Sequence, residues 1–363
     1  MRIEDVHRVL VIGSGTMGLQ IGLQAATHGY DVVVYETDPA AREAAPGRLH
    51  GYAEAQVSEG ALDADELDAS LARLTVSADA AGAGAASDLL IECVPEDPEL
   101  KGRVLAQFNE LCPPGAVFAT NTSTLLPSMY AEATGRPNRF AALHFHLPVW
   151  SANVADVMPH PGTSDETTEL LVEFARRLGQ IPIRMHRESI GYVFNAVYTA
   201  MNRAAITLVA NDVASVEDVD RACMAIMKTP IGPFGALDAV GIDTAWHITE
   251  YWAQVTGDPQ LRTNAELLRG YVDRGCIGIK AGEGFYRYPD PRLCGPGLRQ
   301  GRVSPGHRGG WRRLSGRPSG AHAPVGAFQG RVGEGAGGLR RTGRGSLRSR
   351  PRPRQSPPTS AWN

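Results

Sequence analysis

Short apolar runs bounded by glycine, proline or polar turn residues alternate with longer amphipathic segments from residue 8 to about residue 187. RVLVIG (8–13), DVVVYE (31–36), RLTVSA (73–78), DLLIECV (88–94), AVFATN (116–121), FAALHFH (140–146), NVADVM (153–158) and IPIRMH (181–186) read as strands. Several are apolar at successive positions, as strands buried on both faces are. Helical patterns at 17–28, 39–57, 97–111, 125–133 and 165–178 separate several of them, and Gly29 closes the first helix. Such alternation predicts an α/β fold, a doubly wound sheet with helices on both faces. Beyond Ile190 the period changes. Segments 193–212, 215–229, 236–255 and 264–275 are helical by spacing and length, with Ser215 as an N-cap and Asp218 as its first-turn acid. The pattern therefore predicts a sheet domain over 1–187 and a smaller all-helical domain over 188–290.

The formal charge of −3 conceals two unlike regions. Residues 291–363 hold 15 arginines against the single acid Glu334, a charge of +14, which leaves −17 on residues 1–290. The Arg-, Gly-, Pro- and Ser-rich segment 291–363 cannot bury enough apolar surface to offset backbone ordering, so disorder is expected there. An acidic body of this kind is poorly suited to nucleic acid or an anionic membrane; only the tail has the charge for either. Cys93, Cys112, Cys223, Cys276 and Cys294 are odd in number and widely spaced, fitting neither a disulfide framework nor a zinc site. With no apolar run long enough to span a membrane and an acidic N-terminus, a reducing cytoplasm is the expected location.

The first strand leads directly into GSGTMG, which supplies Gly13, Gly15 and Gly18 in the GxGxxG spacing, with Thr16 and Met17 between the last two. In a strand-turn-helix these glycines allow a tight turn, backbone approach to a pyrophosphate, and close helix–strand packing. Glu36 ends the second strand 23 residues after Gly13, where a carboxylate accepts from ribose hydroxyls. A carboxylate there repels a 2′-phosphate, so the expected cofactor is NAD on a Rossmann-type sheet.

The stretch LHFHLPVWSANVADVM (143–158) brings together His144, His146 and Asp156. On a strand both histidines project to one face. Three readings compete: a metal site, structural histidines, or an acid–base group with a carboxylate behind it. The absence of a further ligand at suitable spacing argues against a metal.

At this point the chain resembles the L-3-hydroxyacyl-CoA dehydrogenase family across residues 8–288. The matching features are GSGTMG, Glu36, ECVPED with Lys101, NTS at 121–123, HFHLP with a carboxylate twelve residues after His144, GYVFN at 191–195, TPIGPFGALDAVGIDT and GIKAGEGFYRY. The resemblance implies that His144 takes a proton from a substrate hydroxyl and that Asp156 orients it. It also implies that Ser123 and Asn195 hydrogen-bond substrate and cofactor, that Glu96, Lys101, Ser123 and Lys280 contact the cofactor, and that the helical domain forms a homodimer. An imidazole titrating near neutrality suits removal of an alcohol proton, and a carboxylate on its other nitrogen fixes the tautomer.

Three departures from the family pattern stand out. Leu147 replaces an asparagine of HFFNP, Asp156 is one methylene shorter than the family's glutamate, and Tyr52 and Glu59 fall where a serine and a lysine meet CoA, with Arg42 and Arg48 close by. The expected activity is NAD-dependent oxidation of a 3-hydroxyacyl-CoA. Two alternatives stay open: oxidation of a free 3-hydroxy acid of carnitine or sugar-acid type, and a catalytically weak NAD-binding protein.

Overall fold

The structure, a computed structural model, describes residues 1–289. The basic segment 291–363, with the disorder expected of it, lies outside the described residues, as does Cys294.

All eight predicted runs form strands: β1 (Arg8–Ile12), β2 (Asp31–Tyr35), β3 (Leu74–Ser77), β4 (Leu89–Glu92), β5 (Val117–Thr120), β6 (Phe140–Phe145), β7 (Val154–Pro159) and β8 (Ile181–Arg184). They make one sheet in the order β3-β2-β1-β4-β5-β6-β7-β8. Every neighbouring pair is parallel except β6 and β7, which run antiparallel. Helices α1 (Thr16–Thr27), α2 (Pro39–Ser58), α3 (Leu67–Ala72), α4 (Ala80–Gly84), α5 (Pro98–Leu111) and α6 (Asp165–Arg177) connect the strands. The alternation of side chains along β1 explains its unbroken apolar run. Val9 and Val11 pack in one core with Leu19, Leu23 and Phe174, while Leu10 and Ile12 pack in the core on the opposite face with Leu105 and Phe108.

After β8 the chain is helical: α7 (Phe194–Ala210), α8 (Val216–Met227), α9 (Pro233–Val240), α10 (Ile242–Thr256) and α11 (Pro259–Val272). Phe234, Ile242 and Leu268 centre the core of this part. Ser215 caps α8 by accepting from the Asp218 amide, as its position predicts. No helix among the described residues is long and apolar enough to cross a membrane.

Two helical expectations fail. The segment 125–133 forms only single 3₁₀ turns at Pro127–Met129 and Glu132–Thr134. Pro127 lacks an amide hydrogen, and so short a stretch gains too few bonds to offset nucleation. The segment 236–255 is split between α9 and α10 by Gly241, at φ +108°, which no helix accommodates.

Gly18 shows how tightly α1 sits on the sheet, since an added Cβ would lie 1.9 Å from the Gly13 carbonyl oxygen. Gly18→Ala is expected to lower the thermal midpoint by roughly 2–12 °C, from about 1–3 kcal/mol of overpacking at about 2–4 °C per kcal/mol for a chain of this size. A midpoint within a degree of the parent in a thermal melt would show that the loop yields without cost.

Candidate active site and dinucleotide cradle

β1 hands over to α1 through Gly13, Ser14 and Gly15. Gly13, at φ +101°, passes so near β4 that a Cβ would meet the Cys93 carbonyl oxygen at 2.9 Å. A Cβ on Gly15 would meet nothing within 4 Å among the described residues, so this residue leaves room beside the loop. Gly15 is also the N-cap of α1, offers no side-chain cap, and is followed by no acid in the first turn. The amides opening α1 are left for an anion, as a pyrophosphate requires. Glu36 closes the cradle. Its Oε2 accepts from the Ser14 amide and hydroxyl, both at 2.9 Å, and its Oε1 accepts from the Asp38 amide. Partial burial pushes the Glu36 carboxyl up, but those donors hold it below the ordinary value. Arg48 leans in from α2, donating to the Ser14 carbonyl at 2.9 Å and the Thr16 hydroxyl at 3.3 Å.

The acid–base candidates lie at the carboxyl end of β6. Antiparallel pairing sets His144 directly opposite Asp156, and directly opposed residues share a sheet face with Cβ atoms about 4.5–5.5 Å apart. His144 Nδ1 lies 3.2 Å from Asp156 Oδ2, and its Nε2 lies 3.2 Å from the Ser123 hydroxyl. His146, just beyond the end of β6, brings its Nε2 to 3.2 Å from the same Oδ2. Asp156 has no exposed surface, and its Oδ1 has no hydrogen-bond partner among the described residues. Burial pushes its carboxyl up, yet the two imidazoles outweigh that and hold it below the usual range. The residue is ionised at neutral pH.

The ring of Tyr192 stacks on His144 at a centroid distance of 4.4 Å, and its hydroxyl donates to the Thr122 carbonyl at 2.6 Å. Tyr192 holds φ +51° directly after Gly191 at φ +80°, an unusual pair of left-handed residues that turns the chain into α7. Asn195 follows in the first turn of α7, partly exposed.

Behind Ser123 stands a charge network whose inner pair, Glu92 and Lys101, is buried and whose outer member, Glu96, is partly exposed. Glu96 accepts from the Ser123 amide at 2.6 Å and from the Thr122 hydroxyl at 2.8 Å. Lys101 Nζ lies 3.2 Å from Glu96 and donates to Glu92 at 2.8 Å and to the Val94 carbonyl at 3.0 Å. Lys101 is only 1% exposed, so its ammonium is spent inside the protein. Burial pushes the Glu92 carboxyl up and opposes charge on Lys101, whereas the two glutamates hold the lysine charged. These two directions conflict. Glu92 accepts from Lys101, the Thr120 hydroxyl and the Val94 amide, a donor set suited to a carboxylate, so the pair is ionised. Lys280 pairs instead with Asp243, at 2.7 Å, in the first turn of α10.

The structure thus brings Ser123, His144, Asp156, Glu96 and Lys101 together, collects Gly13, Gly15, Thr16, Met17, Gly18 and Glu36 around the cradle, and holds Lys280 in its pair with Asp243. It adds Tyr192, for which the GYVFN motif was the available signal, and sets His146 beside His144 and Asp156, as the HxH spacing predicts. His160 is a turn residue, accepting from the Gly162 amide and pairing with the Pro137 carbonyl.

The row Ser123–His144–Asp156 has the connectivity of a nucleophilic triad. The Ser123 and Thr124 amides, however, both donate to Glu96, whose charge would repel an oxyanion. Acyl transfer is disfavoured, and proton transfer to Nε2 remains. His144, His146 and Asp156 are also a group whose ligand atoms lie within 4.8 Å of one another. The contacts they already make, imidazole to carboxylate, serve proton transfer.

Comparison with known proteins identifies the family. Residues 8–189 match the 3-hydroxyacyl-CoA dehydrogenase NAD binding domain, and residues 191–288 match the C-terminal domain of the same family. The chain belongs to the 3-hydroxyacyl-CoA dehydrogenase family. It is an NAD-dependent oxidoreductase. The human mitochondrial hydroxyacyl-coenzyme A dehydrogenase is 33% identical over 288 residues, 78% of this chain and 91% of that protein. A diketoreductase structure, described as catalysing reactions of dicarbonyl compounds, is 38% identical with a TM-score of 0.73, covering 78% of this chain and 99% of its own. The (S)-3-hydroxybutyryl-CoA dehydrogenase of Ralstonia eutropha is 28% identical with a TM-score of 0.71, covering 79% and 100%.

In this dehydrogenase the buried lysine supports the whole Ser123 loop. Lys101→Met, which leaves Glu92 buried without a counter-charge, is expected to cost about 3–5 kcal/mol in denaturant unfolding. Adding Glu92→Gln should recover part of that loss. Equal stability of Lys101→Met and the parent would show that the network is dispensable.

Proposed function

We propose that the protein oxidises a 3-hydroxyacyl-CoA to the 3-oxoacyl-CoA, with His144 as general base and Asp156 as its orienting carboxylate. The observation carrying this reading is the continuous row from Ser123 Oγ through both nitrogens of His144 to Asp156, with 3.2 Å at each step. When His144 donates from Nδ1 to Asp156, its Nε2 lone pair faces Ser123 and whatever hydroxyl lies there. Bound NAD supplies the hydride acceptor for the hydrogen on C3. His144 takes the hydroxyl proton, Ser123 directs that hydroxyl, and Asp156 stabilises the imidazolium. Tyr192 covers one face of the ring and excludes water from it.

A second reading, oxidation of a free 3-hydroxy acid, has its own support. Where the family resemblance expects a serine and a lysine for CoA, Glu59 accepts from the Trp150 indole at 2.8 Å, and Tyr52 packs against the same ring at 6.3 Å. A carboxylate and two aromatic rings line this surface, and the nearby cation, Arg48, which lies 3.4 Å from the Tyr52 hydroxyl, is already engaged by the Ser14 carbonyl. The diketoreductase relative, associated with dicarbonyl compounds, fits this reading as well.

Association as a homodimer is part of the proposal. Val197, Ile226 and Val255 on α7, α8 and α10 are 68%, 81% and 58% exposed, an unusual amount of apolar surface for one chain. Light scattering on the eluting protein should give twice the chain mass; a monomer at micromolar concentration would refute this element.

Initial rates of NAD reduction with 3-hydroxybutyryl-CoA and with free 3-hydroxybutyrate separate the two substrate readings. Turnover on the thioester is expected, and turnover on the free acid alone would overturn the CoA assignment. His144→Ala should lower kcat on the accepted substrate by about 10²–10⁴-fold. An unchanged kcat would mean that another group is the base.

A further inference from the structure

We propose that His146 is a positioning residue of the proton relay, holding the buried Asp156 carboxylate in place against His144. This inference rests on the functional reading above.

The geometry at Asp156 is unusual. One oxygen, Oδ2, lies 3.2 Å from an imidazole nitrogen on each of two histidines, while Oδ1 lies in the interior with no partner among the described residues. Bonds between an ionised carboxylate and a nitrogen donor ordinarily close to about 2.7–2.9 Å. Neither imidazole contact is that short, so neither satisfies the carboxylate alone. A buried carboxylate left with one long bond has two ways to relax: turn about its own side-chain torsions, or take up a proton. Both remove the group that fixes a proton on His144 Nδ1. The second imidazole restrains the carboxylate from the other side.

His146 is well placed for this. It follows the last residue of β6 yet stays beside His144, ring edge to ring face, at a centroid distance of 4.6 Å. The ring of Phe194, from the start of α7, packs against it at 5.5 Å. With its side chain 15% exposed it is not simply a core residue, since a phenyl ring would fill that space. The groups facing the pair from surrounding elements are Asp156 on β7, Tyr192 before α7, and Ser123 with Glu96 behind it. Asp156 is therefore the acid in direct contact with both histidines. Restraint of the carboxylate also bears on its length, because a glutamate at 156 would reach His144 Nδ1 with one more methylene and less need of a second donor.

Three variants test the proposal in the full-length protein: His146→Gln, His146→Phe, and His146→Phe combined with Asp156→Glu. The glutamine amide can donate from nearly the position of Nε2, so His146→Gln should keep kcat within about threefold and leave the acid limb of the pH profile in place. His146→Phe should lower kcat by about 10–100-fold, as for a misplaced catalytic group, with the KM for NAD within about twofold. The double variant should recover most of that loss. In parallel, ¹⁵N NMR of labelled histidines reads the His144 tautomer, with the His144 signal identified by its loss in His144→Ala. The Nδ1-protonated form should dominate in the parent and His146→Gln and give way to a mixture in His146→Phe. A parent-like kcat and tautomer in His146→Phe overturn the proposal, as does a loss of kcat with no change of tautomer and no recovery in the double variant. A tautomer change in a protein without turnover on any 3-hydroxyacyl compound would sustain the positioning role and refute the functional reading instead.

Discussion

The reversal of chain direction between β6 and β7 is the constraint on which the site depends. In a sheet otherwise built of parallel pairs, this one antiparallel ladder places residue 144 opposite residue 156. A fully buried carboxylate is costly on its own, and it is retained because imidazole donors face it across the ladder. The sheet thereby does what a flexible loop does poorly. Two backbone segments locked by ladder hydrogen bonds fix His144 and Asp156, so in the proposed reaction little side-chain entropy is left to lose at the moment of proton transfer.

A second buried charge system fixes the third member of the row. β4 lies between β1 and β5, and Glu92 at its end holds Lys101 through a contact reaching back from α5. Lys101 holds Glu96, and Glu96 holds the amides of Ser123 and Thr124. The chain of contacts continues to the cofactor loop, since Gly13 runs against the backbone of Cys93, one residue beyond Glu92. The glycine loop and the Ser123 loop are thus positioned from the same strand end. Charges buried at this cost are better explained by the need to orient the Ser123 loop than by a gain in stability.

Legibility in the sequence followed the physics of burial. The central strands could be read because they are apolar at consecutive positions, whereas the edge strands β3 and β8, only partly buried, showed as short runs between turn residues. The segment 125–133 misled because its apolar residues have helical spacing, while Pro127 and its short length, weaker signals, decided the outcome. The break at Gly241 was hidden by continuous periodicity on both sides. In the site, the glycine spacing and the twelve-residue step from His144 to Asp156 were readable because local spacing and strand pairing dictate them. The burial of Lys101 was not, because it depends on two carboxylates at positions 92 and 96 whose directions only the folded chain defines. The contact of Trp150 with Glu59 spans 91 residues and leaves no local trace. His146 was visible as a residue on the same face as His144, but its bond to Asp156 is defined only by the folded chain.

The most direct test of the account is the rate of NAD reduction by Asp156→Asn at neutral pH, on whichever 3-hydroxyacyl substrate the parent accepts. Asparagine preserves the volume but cannot stabilise an imidazolium or enforce the tautomer, so kcat should fall by about 10²–10⁴-fold with NAD affinity retained. A kcat within a few-fold of the parent, in a protein that still binds NAD, would contradict the account.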